Sequence, residues 1–391
     1  MTTERNHIDL TALVCVLTLM VLSLYVVYSA SATVALERWG SSSKLMVLHV
    51  VKVMVSFVLI IVFMNIDYRI YQRWTKRILL AAVVLLVATA LMGGEVKGAA
   101  RWLRFGGFSF QPSEFARFAL LFHLCTLLAV KQHRIRDLVK GFLPMVVWIG
   151  IVLLLVLVQP NFSTGVMILG VSMVLLFVGG VNTGHLLLVS AGAVPALAVY
   201  MVSAPYRMKR VLAFIGFAED TAGKLNYQVW QGMIGFGNGG LFGVGPGESK
   251  QRDFFLPESY GDFVFSIVGE EYGLIGTIVM MTLFLVLMLR GLKIAKHAQD
   301  EYGRLLATGI TLSITAYALV NAAVTLALLP TTGLPMPFVS YGGSSMAFSA
   351  AAIGVLLNIS SYTDMHPRWK RLHRFGTKKR PESVPAVGQV Y

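Results

Sequence analysis

The chain has 391 residues, of which 56% are apolar and only 13% carry a charge. Soluble domains carry about a quarter charged residues, so this composition excludes an ordinary water-soluble enzyme. The net charge of +14 would suggest a nucleic-acid ligand in a soluble protein, but in a membrane protein basic residues more often mark topology, and we expect no nucleic-acid partner. Cys15 and Cys125 lie far apart in apolar runs, which argues against a disulfide framework or a structural zinc site.

Ten apolar runs divide the chain. A helix needs about 20 apolar residues to cross the hydrocarbon core of a bilayer, and open strands or loops cannot cross it because their backbone groups would stay unpaired. The sequence therefore predicts an all-α, polytopic membrane protein with ten transmembrane helices. In chain order the runs cover residues 10–32, 45–66, 78–93, 113–130, 141–158, 164–180, 185–203, 263–289, 305–329 and 342–361.

Basic residues between these runs predict the orientation of the chain, because short cytoplasmic loops collect Lys and Arg. Clusters follow the second, fourth and eighth runs, and a fourth cluster occupies the tail; with Arg5 they hold 20 of the 33 basic residues. All of these residues fall on one side if both termini are cytoplasmic. This orientation predicts a cytoplasmic N-terminus at 1–9, a transmembrane domain at 10–361, a large extracytoplasmic loop at 204–262 between spans seven and eight, and a basic cytoplasmic tail at 362–391. The tail could also contact anionic lipid headgroups, although a solvated, topogenic role is favoured.

The predicted outer loop after the third run combines cations with an ion pair at the start of the fourth run. Arg101 and Arg104 lie where the positive-inside trend does not explain them, so we expect them to serve an anionic ligand. Pro112 is typical of the first turn of a helix. On that helix Glu114 and Arg117 share a face at i and i+3 inside the membrane, where ionisable residues are functional candidates. A buried structural ion pair between them is the alternative.

The large loop before the eighth run is 59 residues long, which predicts a functional or disordered segment. Its middle, 235–250, is rich enough in glycine to let backbone amides approach an anion, but it lacks the spacing of a nucleotide P-loop. The loop ends with Glu258 and Asp262, which would share a face if this stretch were helical. A carboxylate among aromatic residues is partly desolvated, so Asp262 is a candidate general base; a helix-start carboxylate held by the helix dipole is the alternative. Glu270 and Glu271 lie about two turns deeper and could relay protons or be structural.

A third polar segment, 329–345, is uncharged but contains many hydroxyl groups, glycines and prolines. At membrane depth such a segment must be buried in protein or line a polar cavity, because lipid cannot satisfy its backbone. A rim that binds a sugar or a lipid headgroup fits this composition. A re-entrant structural turn is the alternative.

Three motifs in these segments resemble one family. They are Arg101-Trp102 with Gln111-Pro112-Ser113-Glu114, the run from Leu256-Pro257-Glu258 to Asp262-Phe263 followed by Gly269-Glu270-Glu271, and Pro337-Phe338-Val339-Ser340-Tyr341-Gly342-Gly343-Ser344-Ser345. Over about residues 10–361 the chain resembles the SEDS family (shape, elongation, division and sporulation), the membrane glycosyltransferases that polymerise peptidoglycan from lipid II. The sequence at 245–251 and the Gly-Glu-Glu triplet resemble the division-associated branch more than the elongation-associated branch.

The resemblance implies an inverting glycosyl transfer on the outer face of the bacterial cytoplasmic membrane, at the division septum. Asp262 matches the essential aspartate of the family and would take the proton from the acceptor's 4-hydroxyl group while undecaprenyl pyrophosphate departs. Cations are needed near that leaving group. The residues expected to bind the substrate are Arg101, Trp102, Arg104, Gln111, Ser113, Glu114, Arg117, Lys250, Glu258, Ser340, Tyr341, Gly342, Gly343, Ser344 and Ser345.

The resemblance also implies partners: lipid II as substrate, a class B penicillin-binding transpeptidase, other divisome proteins and membrane lipids. A divalent cation such as Mg²⁺ or Mn²⁺ could assist, but the sequence contains no dedicated metal site and no cofactor is certain. Some positions depart from the family pattern. Arg117 stands where lysine is usual, Asn161 replaces a common aspartate, and Ser109 stands where many members have a basic residue, so details of headgroup recognition stay open.

Rival functions belong to other classes. A lipid II flippase or another transporter would explain the many spans and the intramembrane charges, but the polar residues gather at the predicted outer ends of the spans and no repeated half is visible. A scaffold that recruits a transpeptidase would have a dispensable Asp262. A peptidoglycan polymerase of the elongation-associated branch of the same family is a further alternative.

Overall fold

The computed structural model describes residues 7–92, 94–96, 99–105, 108–216, 223–257, 259–363 and 365. Within these residues the chain forms twelve α-helices and three short strands. The helices are α1 (Leu10–Trp39), α2 (Lys44–Asn65), α3 (Tyr68–Met92), α4 (Pro112–Val130), α5 (Leu143–Val158), α6 (Phe162–Val178), α7 (Thr183–Val202), α8 (Pro205–Ile215), α9 (Gly223–Gly239), α10 (Val264–Lys296), α11 (Glu301–Thr325) and α12 (Gly343–Ser361). The strands are β1 (Gly94–Val96), β2 (Ala99–Phe105) and β3 (Phe108–Phe110).

Each of the ten predicted runs coincides with a helix. In the described part of the chain, nine helices are long and apolar enough to cross a membrane, and α6, with 17 residues, is slightly shorter. The long loop is itself partly helical, because α8 and α9 lie within it. The total of ten spans and the cytoplasmic position of both termini stay predictions.

Helix boundaries extend beyond the apolar runs where charged residues follow them. α3 begins at Tyr68, ten residues before the predicted span, and takes in the basic residues up to Arg77. α10 continues past Leu289 to Lys296. Long basic side chains allow this because their stems lie on apolar surface while the charged ends reach water. An apolar run therefore marks the part of a helix that crosses hydrocarbon and not its full length.

The all-α prediction needs a correction between α3 and α4. The three strands form a small antiparallel sheet in the order β1-β2-β3, with Gly94 opposite Trp102 and Leu103 opposite Phe110. Aromatic residues are enriched in strands, and this segment contains several of them. A search for apolar runs of membrane length cannot detect strands of three to seven residues, which is why the sequence analysis missed the sheet.

The bundle has central and peripheral helices. In α11 and α12, 78% of the spanning residues are buried inside the protein, and in α4 67% are buried. In α7 the share is only 6%. An apolar helix with so little protein contact can face lipid, because lipid tails solvate leucine and valine as well as a protein core does. The segment between Thr325 and Gly343 therefore joins the two helices with the largest buried share.

A kink in α10 explains the glycine-rich segment. Gly273 has φ 64° and ψ −162° inside α10, so the helical hydrogen bonding is interrupted there. The segment supplies new partners: Leu274 N donates to Gly240 O at 2.9 Å, and Val244 N donates to Glu270 O at 3.0 Å. An unpaired backbone group in a membrane costs several kcal/mol, so these bonds stabilise the kink. The amide of Val244 is thus used within the protein and is not available to an anion.

Glu270 fixes the same segment through its side chain. Its carboxylate accepts hydrogen bonds from Asn238 Nδ2 at 3.2 Å, from Gln251 N at 3.2 Å and from Ser249 Oγ. Glu271 accepts a hydrogen bond from Ser29 Oγ on α1. Both glutamates are about 1% exposed. These contacts favour the structural alternative over a proton relay.

Candidate functional site

Asp262 lies two residues before α10 begins, at a junction of two loops. Asn321 on α11 holds this junction: its Nδ2 donates to the backbone oxygen of Asp262 and to that of Leu334, each at 2.8 Å. A Cβ atom placed on Gly333 would lie 3.3 Å from Asp262 Oδ2. Gly333 also has φ +72°, which favours glycine. The carboxylate of Asp262 therefore sits directly against the 330–340 loop.

The surroundings of Asp262 are partly apolar, as the sequence analysis predicts. Asp262 itself is half-buried. Phe263 and Phe265 are 3% and 2% exposed, and Phe263 packs with Leu256 and Ile267 in a small core cluster. The turn at 259–263 precedes the helix, so Asp262 also lies at the positive end of the α10 dipole. Both the partly desolvated base and the helix-start carboxylate are compatible with this geometry.

Tyr341 joins the Asp262 loop to α2. Its amide donates to Tyr260 O at 2.9 Å, and the two rings meet edge to face with centroids 5.7 Å apart. On the other face of the Tyr341 ring, Lys52 Nζ lies 3.1 Å from the ring centroid. The stem of this lysine also lies against Gly343, because a Cβ there would be in ordinary contact with Lys52 Cε at 3.5 Å. The Tyr341 ring thus stands between a cation and the loop that carries Asp262.

An apolar groove runs from Lys52 along α2. It has a volume of about 950 Å³ and lies between α2, α3, α4 and α12. Its walls include Leu48, Val55, Phe63, Phe115, Phe122 and Phe348. From Leu48 to Phe63 the groove follows α2 for about 22 Å, at 1.5 Å per residue. Such a groove, apolar along its length and with Lys52 and Ser344 near one end, suits a long hydrocarbon chain attached to a polar group.

The predicted hydroxyl-rich segment has mainly structural contacts. Ser344 Oγ accepts a hydrogen bond from Gln111 N at 3.0 Å and donates to Ser109 O at 3.2 Å, which ties α12 to β3. Ser340 Oγ accepts from Met336 N at 2.8 Å and closes a turn. Gly342 caps the start of α12 with extended backbone, and Ser345 is 5% exposed. Of the hydroxyl groups, Ser344 also lines the groove.

Glu114 and Arg117 form a buried ion pair. Arg117 Nη2 lies 2.8 Å from Glu114 Oε2, and the two side chains are 3% and 2% exposed. The guanidinium group also stacks on Tyr317 at 3.9 Å from the ring centroid. Ser113 is buried beside them and accepts a hydrogen bond from Asn161 Nδ2 at 3.3 Å. This geometry matches the structural alternative, and a role of the pair in substrate binding stays a prediction.

A second cavity, of about 250 Å³, lies on the other side of the 330–334 loop. It contains three arginines, Arg101 from β2 with Arg207 and Arg210 from α8. Arg101 Nε donates to Gln159 O at 3.2 Å, and its Nη2 donates to Pro160 O. Of the predicted cations whose side chains the structure describes, Arg101, Arg117 and Lys250, only Arg101 lines this cavity.

Several predicted residues are less informative. Lys250 is exposed and Trp102 is half-buried, and neither lines the groove or the arginine cavity. Glu258 and the side chain of Arg104 lie outside the described residues. Among the described residues, no group of three or more His, Cys, Asp or Glu side chains is arranged to hold a metal ion. The predicted divalent cation stays a prediction.

Sequence reasoning missed four residues that shape the site: Lys52, Asn321, Arg207 and Arg210. Lys52 had a visible signal, because it is the one residue with a fixed charge in the second apolar run. Arg207 and Arg210 lie in the predicted 204–262 loop and are not among the predicted substrate ligands. Their i, i+3 spacing after Pro205 at a helix start was the signal that could have placed them on one face. Asn321 had no signal, since many buried polar residues of a membrane helix look the same in sequence.

Comparisons with known proteins agree on one family. The family model for FtsW, RodA and SpoVE, described as a cell cycle protein, matches residues 9–365. The probable peptidoglycan glycosyltransferase FtsW of Trichlorobacter lovleyi is 40% identical over 361 residues, which cover 92% of this chain and 94% of the relative. Stage V sporulation protein E of Bacillus subtilis is 36% identical, over 93% of this chain and 100% of the relative.

Solved structures share the fold. The rod shape determining protein RodA of Thermus thermophilus aligns with a TM-score of 0.68 and 24% identity, over 91% of this chain and 98% of RodA. A chain from a structure described as structural coordination of polymerization and crosslinking by a peptidoglycan synthase complex aligns with a TM-score of 0.72 and 24% identity, over 90% of this chain and 97% of that chain. At this identity the likeness concerns the arrangement of helices.

Proposed function

The chain belongs to the SEDS family of cell cycle proteins (FtsW, RodA and SpoVE), and from this membership we propose that it is a peptidoglycan glycosyltransferase that polymerises lipid II in septal cell-wall synthesis. The observation that carries the proposal is the position of Asp262. Asp262 is a half-buried carboxylate at a loop junction that the side chain of Asn321 holds in place. Tyr341, whose amide donates a hydrogen bond to Tyr260 O in that junction, lines the groove that suits a lipid tail.

In the proposed reaction Asp262 acts as a general base. It takes the proton from the 4-hydroxyl group of the acceptor GlcNAc as that oxygen attacks the anomeric carbon of the donor MurNAc. The bond from this carbon to the pyrophosphate oxygen breaks, undecaprenyl pyrophosphate leaves with the electron pair, and the configuration at the carbon inverts. A general base must be held within hydrogen-bond reach of the proton it takes, and the bond from Asn321 to the backbone of Asp262 supplies that constraint.

The groove beside Lys52 would hold one polyprenyl tail. Its walls are apolar for most of the length of α2, so they can replace lipid around an isoprenoid chain. Lys52 lies at the end that meets Tyr341, where the polar end of such a lipid would be. An ammonium group there favours binding of a pyrophosphate.

The proposal includes a topology. The chain has ten spans, both termini are cytoplasmic, and the 204–262 region faces the outside of the bacterial cytoplasmic membrane together with Asp262. The basic clusters that follow the second, fourth, eighth and tenth apolar runs support this orientation, because with ten spans all four fall on the side of the termini. The identities of 40% and 38% with relatives named FtsW support septal synthesis.

The proposed protein partner is a class B penicillin-binding transpeptidase, with other divisome proteins around it. A glycan polymerase needs a crosslinking enzyme to make a wall, and the fold is shared with a chain of a complex described as coordinating polymerization and crosslinking. Membrane lipids surround the peripheral helices, α7 above all.

The test is polymerisation of lipid II by the purified chain with its transpeptidase partner. We expect glycan strands from the wild type and none from Asp262→Asn, which keeps size and polarity but cannot accept the proton. The matched control is Glu248→Gln, an exposed carboxylate of the same loop, which should polymerise normally. Full activity of Asp262→Asn would refute the general base. Lipid translocation in proteoliposomes without polymerisation by the wild type would favour a flippase, and intact partner recruitment without polymerisation would favour a scaffold.

A further inference from the structure

His49 is a buried histidine in the apolar helix α2 that the proposed reaction does not use. It is fully buried, and its Nε2 lies 3.0 Å from the hydroxyl oxygen of Ser23 on α1. That hydroxyl group also donates to Met20 O at 2.6 Å. Because a hydroxyl group has one proton and a carbonyl oxygen can only accept, Nε2 of His49 donates to Ser23. The imidazole ring is thus attached to α1 through one edge.

The other ring nitrogen of His49 shows that packing alone does not explain this residue. Nδ1 is buried and has no hydrogen-bond partner within the part of the chain that the structure describes. A buried acceptor without a donor costs about 1–3 kcal/mol, which a leucine or a phenylalanine at this position would avoid. The histidine must therefore contribute something that an apolar side chain cannot, and the bond to Ser23 is a directed contact of that kind.

The ring of His49 lies against Tyr341. The two ring centroids are 5.7 Å apart, with an angle of 36° between the ring planes. Tyr341 also contacts Tyr260 of the Asp262 junction and Lys52, whose Nζ lies 3.1 Å from the Tyr341 ring centroid. His49 and Lys52 are at i and i+3 on α2, so both reach the same ring from one face of that helix. The Tyr341 ring is therefore held by α2 at two points.

The position of the Lys52 ammonium group depends on this ring. Among the residues that the structure describes, Lys52 makes no ion pair. The π face of Tyr341 therefore orients the charge, through a contact worth about 0.5–2 kcal/mol. The attraction is strongest when the cation lies over the face of the ring, so a ring that tilts or slides would release the lysine. His49 limits both movements, because its own ring is bonded to α1.

We infer that His49 is a positioning residue for the Lys52 end of the groove: it fixes the Tyr341 ring and, through that ring, the ammonium group of Lys52 that binds the pyrophosphate of the lipid substrate. This inference rests on the proposed function. Tyr341 and Lys52 line the groove and His49 does not, so His49 acts through them. Asp262 has a separate support in the side chain of Asn321. Loss of His49 should therefore weaken substrate binding more than it slows the chemical step.

The direct test compares two lipids with the same tail, undecaprenyl pyrophosphate and uncharged undecaprenol, in binding to the purified full chain in nanodiscs. We expect His49→Ala to raise the dissociation constant of undecaprenyl pyrophosphate by about three- to tenfold and to leave that of undecaprenol unchanged. Undecaprenol fills the same groove but offers no charge to Lys52. Equal weakening for both lipids would mean that His49 only shapes the groove and would overturn the inference, as would unchanged binding of the pyrophosphate.

His123 provides the matched control, because it is a buried histidine with the same two kinds of contact on another helix. It is 5% exposed, its Nδ1 lies 3.2 Å from Thr75 Oγ1, and its ring meets that of Trp148 edge to face with centroids 5.4 Å apart. It does not line the groove. His123→Ala should lose a similar free energy of unfolding and bind both lipids as the wild type does. An equal loss of pyrophosphate binding in His123→Ala would overturn the inference.

A double-mutant cycle tests whether His49 acts through Lys52. In the Lys52→Met background, His49→Ala should cause no further loss of pyrophosphate binding, and an additive loss would refute action through the lysine. Two milder variants keep the test informative if His49→Ala does not fold. Ser23→Ala removes the bond to α1, and His49→Phe removes the same bond but keeps a ring against Tyr341. Each should raise the dissociation constant of undecaprenyl pyrophosphate by about twofold, and unchanged binding in both would overturn the inference.

Failure of the proposed function would look different. The wild type would then not polymerise lipid II, while the two dissociation constants would still report on His49. If the wild type polymerises, His49→Ala should raise the lipid II concentration for half-maximal rate by the same factor and keep most of the maximal rate. A lower maximal rate with an unchanged concentration dependence would refute the positioning of Lys52. If Lys52→Met weakens pyrophosphate binding and His49→Ala does not, only this inference fails.

Discussion

Replacement of Asn321 by alanine tests how the position of Asp262 is determined. Asn321 is 2% exposed and its Nδ2 makes two hydrogen bonds of 2.8 Å, to Asp262 O and to Leu334 O. Each such bond contributes about 1 kcal/mol, and each buried carbonyl left without a donor costs about 1–3 kcal/mol. Since the two carbonyl groups can partly regain other partners, we expect Asn321→Ala to lower the free energy of unfolding by about 2–4 kcal/mol.

The expected effect on activity is larger than the effect on stability suggests. Loss of the amide frees the turn that carries Asp262, and a shift of about 1 Å in a catalytic group can reduce a rate about a hundredfold. The rate of lipid II polymerisation by Asn321→Ala should therefore fall by about that factor at a temperature well below unfolding. Binding of undecaprenyl pyrophosphate in the groove should be unchanged, because Asn321 does not line it.

Asn358 provides the control, because it is also a buried asparagine that hydrogen-bonds to backbone groups of another segment, but it lies near the C-terminal end of α12, far from Asp262. It is 1% exposed, its Nδ2 donates to Met64 O at 2.9 Å, and its Oδ1 accepts from Tyr68 N at 2.9 Å. It lies about 22 Å along the helix from Gly343. Asn358→Ala should lose a similar free energy of unfolding and keep most of the polymerisation rate. Equal rates for the two variants at equal stability would refute the positioning role of Asn321.

Two other substitutions test the fold and the groove. A Cβ on Gly243 would lie 2.1 Å from the carbonyl oxygen of Glu271, and φ at Gly243 is +85°. Gly243→Ala should therefore lower the free energy of unfolding by about 2 kcal/mol or more, measured by thermal unfolding. Gly237→Ala is the control, because no atom lies within 4 Å of a Cβ there, and equal melting temperatures of the two variants would contradict the close packing at Gly243. Lys52→Met should raise the lipid II concentration for half-maximal rate by about tenfold. Lys44→Met, which changes an exposed lysine at the start of the same helix, is the control. An unchanged concentration for Lys52→Met would show that this ammonium group does not bind the substrate.

The sequence by itself determined where the long apolar helices lie and which residue is the candidate base. Each of the ten apolar runs is a helix, because crossing hydrocarbon requires about 20 apolar residues in a row and this requirement can be seen in a local stretch of sequence. Asp262 was selected by a motif and by its aromatic neighbours, which are also local. The polymerase family followed from the same motifs, and the match over residues 9–365 confirms it.

The tertiary structure alone decided which polar residues face one another. Arg117, one of the predicted substrate ligands, is buried against Glu114 and Tyr317, whereas Arg207, which is not among them, lines a cavity together with Thr331 and Thr332. The glycine content of 235–250 allows backbone amides to approach an anion, but only the structure shows that amides and carbonyl groups between Gly240 and Gly245 bond to the kinked helix α10. The partner of a polar group is set by segments that lie far away along the chain, and a pattern within one segment cannot specify them.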